Sequence, residues 1–163
     1  MRDAQFVLVA SQFHESVTKA LVSGAIQTLT RHGVPQEAIR TFWVPGAFEL
    51  PVAAVRVATS MKPDAIVALG CVIKGGTPQY AAIGHAVAQG LTQVSVSTGI
   101  PVTFGVIVVD SVAQAKARSG GRVGNRGSEA ALAALAMVDL LRSLPVAARA
   151  LAKKPRAHQV LAE

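Results

Sequence analysis

The sequence predicts an α/β fold in which helices cover both faces of a parallel sheet. Short apolar runs rich in β-branched residues alternate with segments whose apolar residues recur at helical spacing. The run at residues 65–69 is apolar at every position, as expected of a central parallel strand that is buried on both faces. Because a helical pattern separates each run from the next, right-handed strand-helix-strand connections are expected.

The elements follow from local signals along the chain. A helix that ends at Gly33 and Pro35 follows the first strand, and Pro51 lies in the first turn of the next helix, where a missing N–H costs nothing. Strands are predicted at residues 6–10, 39–44, 65–69 and 102–109. The first helix is predicted after the loop 11–15, and the next three at about 51–61, at 79–98 and at 111–118. The last helix follows the loop 119–127 and runs to about residue 144. The alternation predicts a flavodoxin-like, three-layer α/β/α sandwich with a four-stranded parallel sheet.

The composition indicates one domain with surplus apolar surface. The 163 residues are 51% hydrophobic and 15% charged, which is more apolar than an average soluble protein. No run approaches the roughly 18 apolar residues of a membrane span, and the amino end lacks the apolar core of a signal peptide, so a soluble, cytoplasmic protein is expected. The last helix is apolar all round at residues 130–138, which indicates one face on the sheet and another on a neighbouring subunit.

A basic tail, residues 145–163, follows the predicted domain of residues 1–144. It contributes part of the net charge of +7. Because it has no aromatic residue for base stacking, a solvated, partly disordered extension is favoured over a contact with nucleic acid.

Metal and disulfide chemistry are not predicted. Cys71 is the single cysteine, and a small buried residue at the end of a strand is favoured over a nucleophile, since no activating base is visible. The histidines, including His14 and His85, show no metal-ligand spacing.

The junction at residues 70–78 is the first candidate for a ligand site. Gly75 and Gly76 allow backbone N–H groups to approach a ligand closely, and the following helix points its positive end at the same place. An anion site, suited to phosphate, is predicted here. The alternative is that the glycines serve only the turn.

Ligands of open parallel sheets bind beyond the carboxyl ends of the strands. The loops expected there hold aromatic faces, a carboxylate at a helix start, the glycine pair and three arginines, which together suit a flat heteroaromatic ligand with a phosphate. The alternative places the phenylalanines in the core and the arginines in a solvated loop. These loops contain Phe13 and His14; Gly46, Ala47, Phe48 and Glu49; residues 74–79; and residues 110–126.

Five motifs follow one another along the chain: SQF at residues 11–13, WVPGAFE at 43–49, ALGCVIKGGT at 68–77, PVTFGV at 101–106 and GNRGSEA at 124–130. They resemble those of the 6,7-dimethyl-8-ribityllumazine synthases, the penultimate enzymes of riboflavin biosynthesis. The motifs occur in the family's order and nearly without gaps, over about residues 5–144, and the combination of the second and third is highly specific.

The resemblance implies condensation of 5-amino-6-(D-ribitylamino)uracil with 3,4-dihydroxy-2-butanone 4-phosphate, without a cofactor. It also implies a homo-oligomer, as a pentamer, decamer or 60-subunit icosahedral capsid, and riboflavin synthase as a partner. The resemblance implies that Phe13 and main-chain groups of Val72 and Ile73 contact the pyrimidine, and that the segment of Ala47 and Phe48 and the Glu49 carboxylate contact the ribityl chain. It implies that Gly76, Thr77 and Arg118 bind the phosphate. Phe104 and Arg126 are implied to come from the adjacent subunit.

The sequence departs from the family pattern where protons are transferred. The family's general acid/base is a histidine, whereas this chain has Gln79, and a usual aspartate is replaced by Ala81. Arg126 also stands where lysine is usual. Glutamine can orient a substrate or a water but does not titrate, and a lost general acid/base costs about 100- to 10,000-fold in rate. Either His14 replaces it, or positioning and the substrate's own phosphate suffice; the alternative for His14 is a helix-start residue that faces solvent.

Two hypotheses of function therefore remain. The first is a lumazine synthase whose activity is reduced or whose proton transfer is relocated, and Arg118, Glu49 and the phosphate loop favour it. The second is a non-catalytic, shell-forming paralogue that binds a flavin, a lumazine or a related flat ligand, and Gln79 and Ala81 favour it.

Overall fold

The computed structural model describes Met1 and residues 3–145, so the predicted basic tail beyond Pro145 lies outside the described residues. The strands of that part are β1 (Phe6–Ser11), β2 (Ile39–Val44), β3 (Ala65–Ile73), β4 (Val102–Val109), β5 (Ser119–Gly121) and β6 (Gly124–Asn125). The helices are α1 (Glu15–Arg31), α2 (Leu50–Met61), α3 (Gln79–Thr98), α4 (Val112–Arg118) and α5 (Arg126–Ser143), with 3₁₀ turns at Gln36–Ala38 and Ala47–Glu49.

Strands β1 to β4 form one parallel sheet in the order β2-β1-β3-β4. Phe6, at the start of β1, pairs with Ile39 of β2 on one side and with Ala65 of β3 on the other. The predicted α/β fold with a four-stranded parallel sheet is therefore confirmed.

Two apolar cores hold the helices against the sheet. Side chains alternate along β1, so that Phe6 and Leu8 join the core beneath α1 and α5, while Val7 and Val9 join the core beneath α2 and α3. The result is three layers, with helices on both faces. Among the described residues, no helix is both long and apolar enough to cross a membrane.

The third strand is longer than the sequence predicts. It continues through Gly70 to Ile73, which pairs with Val109 at the end of β4. Gly70 lies inside the strand because the packing there is close: a Cβ would lie 3.0 Å from the Ser11 hydroxyl and 3.3 Å from the Leu50 side chain. The predicted bounds of 65–69 are therefore wrong at the carboxyl end, and the extra residues extend the strand to the edge of the sheet where open α/β sheets bind ligands.

The segment predicted as a loop at residues 119–127 contains the antiparallel hairpin of β5 and β6, and α5 already begins at Arg126. The Asn125 carboxamide stabilises this junction, since its oxygen accepts hydrogen bonds from the N–H groups of Gly127 and Ser128 at 2.8 and 3.1 Å. Its nitrogen donates to the Ala20 carbonyl at 2.9 Å. One side chain therefore caps α5 and ties it to α1.

Ion pairs connect the end of α5 to the segments that precede β1 and β3, at the amino ends of the strands. The Arg142 guanidinium donates to Asp3 at 3.0 Å and to Asp64 at 2.8 Å, and Asp64 also accepts from the Gln5 N–H. The hydrogen bond from Arg142 is the main reason why the pKa of Asp3 lies below its usual value. These contacts fix the end of α5 beside the start of β3, far from the ligand-binding edge.

Helix α5 buries one of the two faces predicted for it. Ala131, Ala134 and Val138 are buried on the sheet side, whereas Leu132 and Met137 are exposed in the single chain. Phe104 and Val108 of the edge strand β4 are likewise exposed in the single chain, on the α3 side of the sheet.

Candidate functional site

A cavity of about 350 Å³ lies beyond the carboxyl ends of β1 and β3. Three segments line it: Phe13 and His14 after β1, residues 46–49 after β2, and residues from Cys71 to Ile83 at the end of β3 and the start of α3. The volume suits a small molecule, and the position is the switch point at which open α/β sheets bind ligands.

The first segment is held rigidly against the second. The Gln12 N–H donates to Val44 O at 2.8 Å and the Phe13 N–H to Pro45 O at 3.0 Å, which extends the backbone pairing of β1 and β2 beyond the sheet. The Phe13 ring is 68% exposed and meets the His14 ring edge to face, with centroids 4.8 Å apart. An exposed phenylalanine at the mouth of a cavity offers a flat face on which a ring can stack.

The second segment supplies a carboxylate and another exposed ring. Glu49 Oε2 accepts a hydrogen bond of 2.8 Å from the Gly46 N–H, which orients the carboxylate in the turn before α2. Phe48 is 62% exposed, whereas Ala47 is buried. The remaining carboxylate oxygen and the backbone of this turn can therefore hold hydroxyl groups of a ligand.

The third segment contains the predicted anion loop. Val72 and Ile73 end β3 against the cavity, the Lys74 N–H donates to Val109 O at 2.9 Å, and Thr77 and Gln79 line the cavity. Neither Gly75 nor Gly76 has a positive φ, and a Cβ on either would meet nothing within 4 Å. The turn itself therefore does not require glycine, which favours close approach of a ligand over the purely structural interpretation.

The cavity brings together most of the site residues predicted from the sequence, but not all of them. Gly76 lies between two lining residues without lining the cavity itself. Arg118 ends α4 and is exposed, and Arg126 forms a 2.6 Å ion pair with Glu129. Phe104 lies in a separate groove of about 300 Å³ between α3 and β4, together with His85. Nothing in a single chain places these side chains in the cavity.

Three lining residues were not among the predicted site residues: Cys71, Tyr80 and Ile83. The helical period contains the signal for Ile83, because it lies four residues after Gln79 on the same face of α3, whereas Tyr80 is only the sequence neighbour of Gln79. Cys71 was predicted as a buried residue at the end of a strand within the junction 70–78, which gives no sign that its side chain borders the cavity. Within residues 1 and 3–145, no group of three or more His, Cys, Asp or Glu side chains is placed to hold a metal ion.

The thiol of Cys71 is expected to be unreactive in the folded protein. Burial raises its pKa from 9.0 to about 11, so the thiolate that attacks electrophiles is scarce at neutral pH. Alkylation by iodoacetamide at pH 8 should be roughly 100-fold slower in the native protein than in the same protein unfolded in urea, as the pKa difference alone implies. Equal rates in both states would show that the thiol is accessible and ionised as an ordinary cysteine is.

Comparison with known proteins finds relatives over nearly the whole domain. The family model described as 6,7-dimethyl-8-ribityllumazine synthase matches residues 3–142. A curated 6,7-dimethyl-8-ribityllumazine synthase from Halorhodospira halophila (strain DSM 244 / SL1) is 46% identical over 144 residues, which are 88% of this chain and 92% of the relative. The region that matches the family model includes all three segments that line the cavity.

Proposed function

The chain belongs to the 6,7-dimethyl-8-ribityllumazine synthase family, and we propose that it condenses 5-amino-6-(D-ribitylamino)uracil with 3,4-dihydroxy-2-butanone 4-phosphate as a transferase of riboflavin biosynthesis. The observation that supports this most directly is that one cavity collects Phe13, Glu49 and Thr77 from three separate loops. The products are the lumazine, phosphate and two waters, so the reaction exchanges no electrons with a cofactor.

Each part of the cavity suits one part of the substrates. Phe13 stacks on the pyrimidine, whose edge meets main-chain groups of Val72 and Ile73. The turn of Ala47 and Phe48 and the carboxylate of Glu49 hold the ribityl chain. The loop of Gly76 and Thr77 binds the phosphate at the start of α3, where unpaired N–H groups and the helix dipole favour an anion.

A neighbouring subunit completes the site in this proposal. Phe104 on the edge strand β4, Arg118 at the end of α4 and Arg126 at the start of α5 all lie outside the cavity of their own chain. Phe104 is 40% exposed there, beside the equally exposed Val108. A subunit that packs against this edge would receive an aromatic ring and guanidinium groups in its own cavity, and the arginines would supply the positive charge that the phosphate requires.

The assembly is a cytoplasmic homo-oligomer of pentameric units, as a pentamer, a decamer or a 60-subunit capsid, with riboflavin synthase as the enzyme that takes the product. The exposed apolar residues of β4 and α5 support assembly, because burial in an interface removes them from water.

A second function is favoured by one observation, namely that Gln79, which does not titrate, lines the cavity at the position where the resemblance implies a histidine. A paralogue that has lost catalysis could keep the assembly and bind a flavin or lumazine in the same place. Both candidates predict binding of flat heteroaromatic ligands, and only the first predicts turnover.

A turnover assay distinguishes the two functions. The full chain, incubated with both substrates, should form lumazine at least about tenfold faster than the spontaneous reaction, because holding two reactants together is by itself worth far more than that. The absorbance of the product measures the rate, and sedimentation measures the assembly. An intact oligomer that binds riboflavin but never exceeds the spontaneous rate would establish the paralogue and reject the enzyme.

A further inference from the structure

We propose that the imidazole of His14 transfers the protons of the condensation in the cavity that the non-titrating Gln79 also lines. The inference rests on the proposed function, and it names the residue that makes that function possible.

His14 differs from the other histidines that the structure describes. The Nδ1–H groups of His32 and His85 each donate to the backbone oxygen four residues earlier, at 2.8 Å, and neither side chain lines the main cavity. His14 lines it, and its side chain makes no capping hydrogen bond to α1, although it occupies the N-cap position. Its ring nitrogens are therefore not committed to the helix it precedes.

The backbone holds this ring in place. His14 has φ 60° and ψ 44°, a left-handed conformation that costs most residues other than glycine about 1 kcal/mol. Its carbonyl accepts from the N–H groups of Val17 and Thr18, while the preceding residues pair with Val44 and Pro45. The edge-to-face contact with Phe13 fixes the ring beside the face on which the pyrimidine stacks. The interpretation of His14 as a helix-start residue that merely faces solvent does not account for this orientation.

The other titratable groups around the cavity are less suited to the task. Glu49 is oriented by its hydrogen bond from Gly46, and the Cys71 thiol stays protonated because burial raises its pKa to about 11. The Tyr80 ring lies 5.9 Å from the Lys74 ammonium, and phenols as a class lose their protons far above neutral pH. On its own helix, the nearest charge is Glu15, which is paired with Lys19 at 2.9 Å. Imidazoles as a class are the side chains suited to carry protons between reacting groups.

The reaction defines which protons must move. The 5-amino group adds to the ketone and loses water to form an imine. His14 then takes the proton from C3, the released electron pair forms the C3=C4 double bond, and the C4–O bond breaks so that phosphate leaves with its electrons. The resulting enol becomes a ketone as its hydroxyl proton leaves and His14 returns a proton to C4. The ribitylamino nitrogen adds to this ketone and closes the ring, and the hydroxyl group left at that carbon departs with a proton as the second water.

Two substitutions remove the imidazole without disturbing the backbone. Glycine and asparagine both tolerate the left-handed conformation, so His14→Gly and His14→Asn should assemble normally. Each should lower kcat roughly 100-fold or more, with little change in the affinity for the ribitylaminouracil, and should remove the imidazole limb from the pH profile of kcat. For His14→Gly, added imidazole should raise kcat at least about tenfold, since it can occupy the space that the side chain leaves.

Further variants distinguish proton transfer by His14 from a general effect of losing an imidazole. His32→Gln removes an imidazole remote from the cavity and should keep the wild-type rate. Gln79→His alone should gain little, whereas His14→Asn/Gln79→His should recover at least about tenfold over His14→Asn, because it returns a proton carrier to the cavity.

The outcomes distinguish the inference from the proposed function. If the wild type turns over and both His14 variants match it, or if Gln79→His raises wild-type turnover tenfold while imidazole rescues nothing, the role of His14 is rejected and the synthase stands. If the wild type never exceeds the spontaneous rate, the proposed function fails and the inference fails with it.

Discussion

Replacing Gly127 with alanine is expected to leave little stably folded protein. Gly127 is buried in the first turn of α5, where this helix crosses α1. A Cβ at this position would overlap the carbonyl oxygen of Leu21 and lie 2.7 Å from the carbonyl carbon of Leu21. Both are backbone atoms, so no rotamer change relieves the overlap and the two helices must separate. We expect a cost of about 3 kcal/mol or more, at the upper end of overpacking substitutions. Thermal unfolding should begin roughly 10 °C lower, or the protein should be insoluble.

Gly76→Ala is the matched control for this substitution. It adds the same methyl group where nothing lies within 4 Å and where φ is not positive, so the unfolding temperature should stay within about 2 °C of the wild type. Similar unfolding temperatures for the two variants would show that α1 and α5 are packed less closely than the structure indicates.

The fold could be predicted well from the sequence because its pattern is local. Apolar runs with β-branched residues define the strands, and helical spacing and proline positions define most of the helices between them. The end of β3 was missed because Gly70 resembles the start of a turn, whereas it is required by the close approach of Ser11 and Leu50, which are distant in sequence. The hairpin at residues 119–125 was missed because two short strands of small residues give no periodic signal.

The candidate site could be predicted only where one chain forms it. Motifs and loop positions placed Phe13, Glu49 and Thr77 at one edge of the sheet, and the structure puts all three in one cavity. No sequence pattern gives the left-handed backbone of His14 or its contact with Phe13, because both depend on how the loop pairs with the end of β2. Arg118 lies outside the cavity of its own chain, so its contact with phosphate stays a prediction that depends on the proposed neighbouring subunit.

Arg118→Ala should weaken use of the phosphorylated substrate while the ribitylaminouracil still binds. Paired, charge-assisted hydrogen bonds from a guanidinium to phosphate are worth enough for a loss of roughly 10- to 100-fold in kcat/KM for the butanone phosphate. Arg118→Lys should keep part of this, because an ammonium supplies the charge without the fork of donors. Titration of each substrate separately measures the effect, and an equal loss for both would remove the phosphate assignment.

Mixed oligomers test whether Arg118 serves a neighbour. Thr77→Trp should block the cavity of its own chain with a bulky side chain in an exposed loop, while its Arg118 remains intact. When Arg118→Ala and Thr77→Trp chains are co-expressed and purified together, about a quarter of the subunit interfaces combine an open cavity with an intact arginine, since each interface joins two chains at random. The hybrid should therefore show about a quarter of the wild-type activity, although each parent alone is nearly inactive. Activity no higher than the average of the two parents would place Arg118 in the site of its own chain.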